Sequence, residues 1–190
     1  VTESIAFYSA VVGMSEYYNR KMSVGGKVIP AGDPNAIVHL GIMEGAHPNI
    51  GKLGLLEWCS PRLPEKPTAC NQHLTTGKAF FECETPDIEM LFAGLQNSAR
   101  CAIYSPPYER VVLERPGGDK IEVRTLSFFD SDGFFFEVNQ KPNSLSSNVF
   151  TIKSTILVVR DIEASLAFYT KALGMEVWSE RVFELGENIL

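Results

Sequence analysis

Carboxylates alternate with aromatic residues along short runs of this chain. Phe80, Glu82 and Glu84 fall two apart, as do Phe135, Glu137 and Asn139. A third run sets Glu122, Arg124, Leu126 and Phe128 at the same spacing. Residues two apart in an extended strand share a face. Each run therefore predicts a strand with one mixed aromatic and charged face. The residues between them, such as Phe81, Cys83, Val123, Phe136 and Val138, are apolar enough to read as core. A wall of this kind suits a small ligand with a flat apolar part and polar handles. Its rings stack, and the planar fork of Arg124 matches a carboxylate. The expected ligand is a flat aromatic or conjugated acid held by Phe80, Arg124, Phe128 and Phe135. The run 36–43 sets Ile37, His39, Gly41 and Met43 opposite Val38, Leu40 and Ile42. If the second set packs on a helix, His39 joins the wall, on a strand neighbouring that of Glu57. The plainer alternative is that Glu57 and Glu137 are satisfied by Arg or Lys, with His39 half-exposed and making one hydrogen bond.

Other chemistries find little support. Cys59, Cys70, Cys83 and Cys101 form no C-x-x-C pair, and Cys83 reads as a buried thiol in a strand. Pro116-Gly117-Gly118 lacks the flanking strand and helix of a phosphate loop. No Ser, His and acid arrangement has the spacing of a known nucleophilic triad. The 190 residues carry a formal net charge of −6, which disfavours a nucleic-acid partner. No apolar run approaches the roughly 20 residues of a membrane span. The visible start shows no signal peptide, so reduced cysteines and a cytoplasmic location are expected.

The elements that position these residues come in repeating order. A helix is expected over 2–12, stopped by Gly13, then strands over 16–20, 36–43 and 50–58. A polar, Pro-rich linker spans 59–76. The next unit opens with a strand over 78–84. Asp87 then caps a helix bearing Ile88, Leu91, Phe92 and Leu95 on one face. Short strands near 102–104 and 110–114 flank a turn at Ser105-Pro106-Pro107. A hairpin over 121–139 turns at Asp130-Ser131-Asp132-Gly133. After a second linker at 142–148, the β-branched run 151–160 reads as a strand leading to Asp161, a helix N-cap.

That last helix repeats the first. Ser4, Ala6, Phe7, Tyr8, Gly13 and Met14 recur at Ser165, Ala167, Phe168, Tyr169, Gly174 and Met175, an offset of 161 residues. Arg20 and Arg181 keep the same offset. The chain is thus expected to hold three units, 1–60, 77–140 and 149–190. The first lacks its opening strand and the third has only begun, so the chain looks cut at its start. The strand at 151–160 is expected to complete the first unit's sheet, in cis or by exchange in a homodimer.

Residues 159–175 and the hairpin 130–140 resemble two signatures of the vicinal oxygen chelate superfamily, which joins glyoxalases, bleomycin-resistance proteins and extradiol dioxygenases. The resemblance implies an α+β fold. Tandem βαβββ modules form a curved, cup-like mixed sheet with helices outside. It implies a cup for a small molecule and no single reaction.

In metal-dependent members of the family, His, Gln or Glu from the first and last strands of each module hold a divalent ion. Glu57 and Glu137 match the last-strand positions, whereas Phe80 and Ser154 stand at the first-strand ones. The resemblance therefore implies two readings. In one, Glu137 or Glu57 is a general base or a ligand to Zn, Ni, Fe or Mn in a lyase, isomerase or dioxygenase-like enzyme. In the other, the protein is a metal-free module that sequesters a small molecule, or an inactive fragment.

Overall fold

The computed structural model describes residues 1–23, 35–46, 49–62, 75–113, 119–142 and 149–177. Cys70, His47, His73, Arg181 and the turn at Pro116-Gly117-Gly118 lie outside the described residues, as does most of each linker. The sequence repeat folds twice into the same local structure. Helix α1 (Thr2–Phe7) runs into a π-helical turn, Tyr8–Val12, and stops at Gly13 with φ 83°. Helix α3 (Ile162–Ala167) runs into the turn Phe168–Ala172, with Gly174 at φ 69° just beyond. Left-handed backbone of this kind favours glycine, which has no Cβ to clash. The two expected N-caps form. Asp87 accepts from the Met90 N–H at 2.9 Å to open α2 (Ile88–Gln96), and Asp161 accepts from the Ala164 N–H at 2.9 Å to open α3.

The strands form two open sheets of a mixed α+β fold. One is the antiparallel set β1 (Ser15–Ser23), β2 (Ile37–Glu44) and β3 (Leu53–Ser60), in that order. The other holds β4 (Ala79–Glu84), β5 (Cys101–Leu113), β6 (Lys120–Asp130), β7 (Phe135–Gln140) and β8 (Thr151–Leu157), in the order β5-β6-β7-β4-β8. Among the described residues only β4 and β7 run parallel. The turn expected at Ser105-Pro106-Pro107 is not one. β5 passes straight through it, and its pairing with β6 slips at Ser105 and again before Tyr108. Proline has no N–H for the ladder, and an edge strand absorbs the gap as bulges.

β8 pairs antiparallel with β4, setting Ser154 opposite Glu82. Among the described residues it shares no ladder with β1–β3. It still touches that sheet, backbone to backbone. A Cβ on Gly45 would lie 2.4 Å from the Phe150 carbonyl oxygen, and one on Gly51 2.6 Å from that of Ile152. Two glycines in the β2–β3 connection therefore let the start of β8 lie against it.

One core joins these parts. Phe7 of α1, Tyr8 of the π-helical turn after it, Leu91 and Leu95 of α2, and Phe128 and Phe136 of the larger sheet are all buried in it. Phe128 and Phe136 stack with centroids 5.0 Å apart, Tyr8 lies 5.9 Å from Phe136, and Phe7 lies 6.3 Å from Phe128. The Tyr8 hydroxyl donates to Asp130 Oδ2 at 2.6 Å. Asp130 Oδ1 accepts from the N–H groups of Asp132 and Phe134 at 3.0 and 2.8 Å, which holds the hairpin turn. Helix α3 has no such seat. It has no buried residue, and Phe168, the counterpart of Phe7, is 55% exposed.

Burial pushes both partners of that bond up. The Tyr8 phenol lies far above its ordinary 10.0, raised by burial and then by Asp130. The Asp130 carboxyl rises from 3.8 because burial outweighs the hydrogen bonds it accepts. Above pH 10.0 the folded state holds the Tyr8 proton and the unfolded state does not, so stability falls as pH rises. Asp130 acts in the same sense lower down. Stability falls as pH climbs from 3.8 through its raised value, then levels off. Tyr8→Phe should therefore flatten the alkaline limb above pH 10.0, as read from chemical denaturation at a series of pH values. An unchanged limb would show that the phenol titrates freely.

Candidate ligand-binding site

The pairing register decides which side chains share a face. Glu137 on β7 sits opposite Ser127 on β6 and beside Glu82 on β4, and Glu82 sits opposite Ser154 on β8. Residues paired directly across strands project to the same side. The helices cover the other side, through Cys83, Leu126, Phe128 and Phe136. The face away from the helices thus carries a row of polar groups across four strands.

An aromatic patch adjoins that row. Phe135 pairs with Phe80 and Phe129, with ring centroids 5.6 and 4.9 Å away. Tyr104 of β5 stands edge-on to Phe129 at 5.9 Å and to Phe135 at 5.5 Å, and is 66% exposed. Phe129 and Phe135 are buried and Phe80 is half-buried, so Tyr104 is the most exposed ring of the patch.

Arg110 of β5 organises the polar row. Its Nη2 donates to Glu137 Oε1 at 2.5 Å and to Asn139 Oδ1 at 3.2 Å. Thr125 Oγ1 donates to the same Asn139 oxygen at 2.7 Å, and Asn139 Nδ2 donates to Glu82 Oε1 at 3.5 Å. Ser154 Oγ donates to Glu82 Oε2 at 2.7 Å. The chain of contacts runs from Ser154 through Glu82 and Asn139 to Arg110 and Glu137. Arg110 Nε is buried without a partner.

Several expected wall residues lie elsewhere. Phe80, Phe135 and Glu137 are on this face. Arg124 and Phe128 are not: both lie on the helix side, where Arg124 pairs with Glu89 of α2 and Phe128 is fully buried. The alternation along β6 was right and its sense was inverted. The hairpin turn held the needed signal. Counting back from it sets Phe128 opposite Phe136 and Ser127 opposite Glu137, which fixes the parity of β6.

His39 is also displaced from the wall. It shares a strand face with Gly41 and Met43, and α1 lies on that face. A Cβ on Gly41 would lie 2.8 Å from Ile5 Cδ1, so the bare glycine is what admits the helix. His39 Nε2 bonds Asn19 Oδ1 at 2.6 Å, and its Nδ1 lies 3.8 Å from Glu57 Oε2. Glu57 and Glu137 therefore belong to different sheets and different contact sets. Arg110, Tyr104 and Phe129 are the wall residues that sequence reasoning missed.

The donor set does not fit a divalent-metal centre. Phe80 offers no lone pair, Ser154 is hydrogen-bonded to Glu82, and Glu137 already meets a cation in Arg110. Among the described residues no three His, Cys, Asp or Glu side chains come together as a metal group would need. Two cavities lie away from this face. An apolar one of about 350 Å³ separates β8 from α3, and one of about 430 Å³ lies beside Arg124 and Lys141.

Residues 151–187 match the family described as Glyoxalase/Bleomycin resistance protein/Dioxygenase superfamily. Glyoxalase I from Zea mays superposes with a TM-score of 0.60 at 20% identity, covering 92% of this chain and 51% of that one. The chain has the glyoxalase fold. A glyoxalase family protein from Bacillus cereus superposes with a TM-score of 0.52 at 16% identity, covering 74% of this chain and 86% of that one. The chain thus spans about half the length of the Zea mays protein. No curated protein matches it by sequence. Among the described residues no helix is long and apolar enough to cross a membrane.

Proposed function

We propose that this glyoxalase-like chain is a small-molecule-binding protein that works without a metal. The observation that carries the reading is the patch of Phe80, Phe129, Phe135 and Tyr104 abutting the Arg110–Glu137 pair. Flat apolar surface beside a few fixed polar groups is how small-ligand sites are built. The charge balance points to the kind of handle. Glu82, Glu84 and Glu137 are three carboxylates on this face, matched by Arg110 at Glu137 and by Lys141 and Lys153 at Glu84, so the charges balance. A neutral flat molecule suits such a face better than the acid that Arg124 would have favoured, since Arg124 faces α2.

The test compares indole with indole-3-carboxylate by calorimetry, on the parent and on Tyr104→Ala. Tyr104 is well exposed, so the variant leaves the core intact. Indole is expected to bind more tightly than its carboxylate. Loss of one good ring contact, about 0.5–1.5 kcal/mol, should weaken it roughly 2- to 13-fold. Equal binding of indole to parent and variant, or preference for the carboxylate, would refute the assignment.

A further inference from the structure

We infer that Arg110 is the resident cation of this site: its guanidinium takes up Glu137, the carboxylate that the family resemblance sets at a metal-ligand position, and removing it uncovers a site for a divalent cation. Glu137 stands at the last-strand position of the complete unit. Its Oε1 lies 2.5 Å from Arg110 Nη2, a distance at which no ion can come between them. The same nitrogen reaches Asn139 Oδ1, and Asn139 reaches Glu82 on the neighbouring strand. The acceptors around Arg110 are all oxygens, the ligand type that suits hard divalent ions.

The side chain is built in rather than draped over the surface. Its exposure is 16% and that of Glu137 is 23%. Arg110 enters from β5, the far edge strand, and crosses β6 to reach β7. Its Nε is left buried with no acceptor. A buried donor without a partner is a standing cost. That cost is offset by the charge–charge contact of the terminal nitrogen, so the guanidinium is held by its end and not by its whole fork. The inference stands on these contacts and not on the identity of the bound small molecule.

Three proteins test it: the parent, Arg110→Met and Arg110→Met/Glu137→Gln. Each is titrated with Mn²⁺ and with Zn²⁺ by calorimetry, after stripping with a chelator. The parent should show no saturable binding. Arg110→Met keeps the length of the stem and removes the charge. It should bind one ion per chain, at least about tenfold more tightly than any residual binding by the parent, because an opposite charge this close lowers a carboxylate's proton affinity by about one to three log units and a metal ion competes for the same oxygens. The double variant should lose that binding. Stoichiometric, Glu137-dependent binding by the parent overturns the inference, and so does a folded Arg110→Met that binds neither ion. Should Arg110→Met prove too unstable to titrate, the denaturation midpoints decide. Removing both charges should then cost less than the two single changes, Arg110→Met and Glu137→Gln, added together, and simple additivity would overturn the pairing.

Discussion

Phe136→Ala is expected to lower the unfolding free energy by about 3–5 kcal/mol. Phe136 is fully buried and touches three other rings: Phe128 stacked at 5.0 Å, Phe81 at 5.3 Å and Tyr8 at 5.9 Å. These neighbours belong to β6, β4 and the turn after α1, so none can collapse into the gap without moving its own element. The loss combines the ring's transfer energy with the cavity left behind. It would be a large share of a total that is typically about 5–15 kcal/mol. Guanidinium denaturation should show the midpoint fall with an unchanged slope. Phe168→Ala is the control, because Phe168 repeats Phe7 in sequence yet stands exposed, and it should change stability by no more than about 0.5 kcal/mol. A Phe136 variant as stable as that control would mean the three-ring contact is not formed.

Gly45→Ala should cost about 1–3 kcal/mol or more, and it should act on a distant segment. The new methyl would sit 2.4 Å from the Phe150 carbonyl oxygen and 3.2 Å from the Thr151 Cα. Both obstacles are backbone, so no rotamer change relieves the clash. Either the β2–β3 connection or the start of β8 must move. Among the described residues β8 has one ladder partner, β4, so the strand is the softer of the two. Hydrogen exchange at residues 152–157 should accelerate, while β6 and β7 keep their protection. Unchanged exchange along β8 would show that the two segments do not press on each other.

Much of the fold was readable because it is written locally. Asp87 and Asp161 cap helices wherever they are placed, Gly13 ends one, and Asp130-Ser131-Asp132-Gly133 turns a hairpin. The site was readable only in part, because alternation gives two faces without saying which is inward. On β4 and β7 the apolar set is the core, which leaves Phe80, Phe135 and Glu137 together on the face away from the helices. On β6 both sets are mixed. Arg124 looked like a binding residue but is on the helix side with Glu89. On β2, Gly41 reversed the expected sense, since the face with least side chain is the one a helix can approach. Arg110 gave no local sign of its role. It acts across two strands on a partner 27 residues away, and only the register brings them together.

The seat of α1 sets a timetable for the chain as it is made. Tyr8 and its acceptor Asp130 are 122 residues apart. At about 5–20 residues per second, the ribosome completes one roughly 6–24 s after the other. Through that interval the signals for the helix, its stop and its π-turn are all present within a dozen residues, but the rings of β6 and β7 that Phe7 and Tyr8 meet have not been made. The hairpin is the last part of that seat to be synthesised. A helix seated in this way waits for a hairpin made 122 residues later, and a helper that shields short apolar segments would matter most for this chain while residues 14 to 130 are being added.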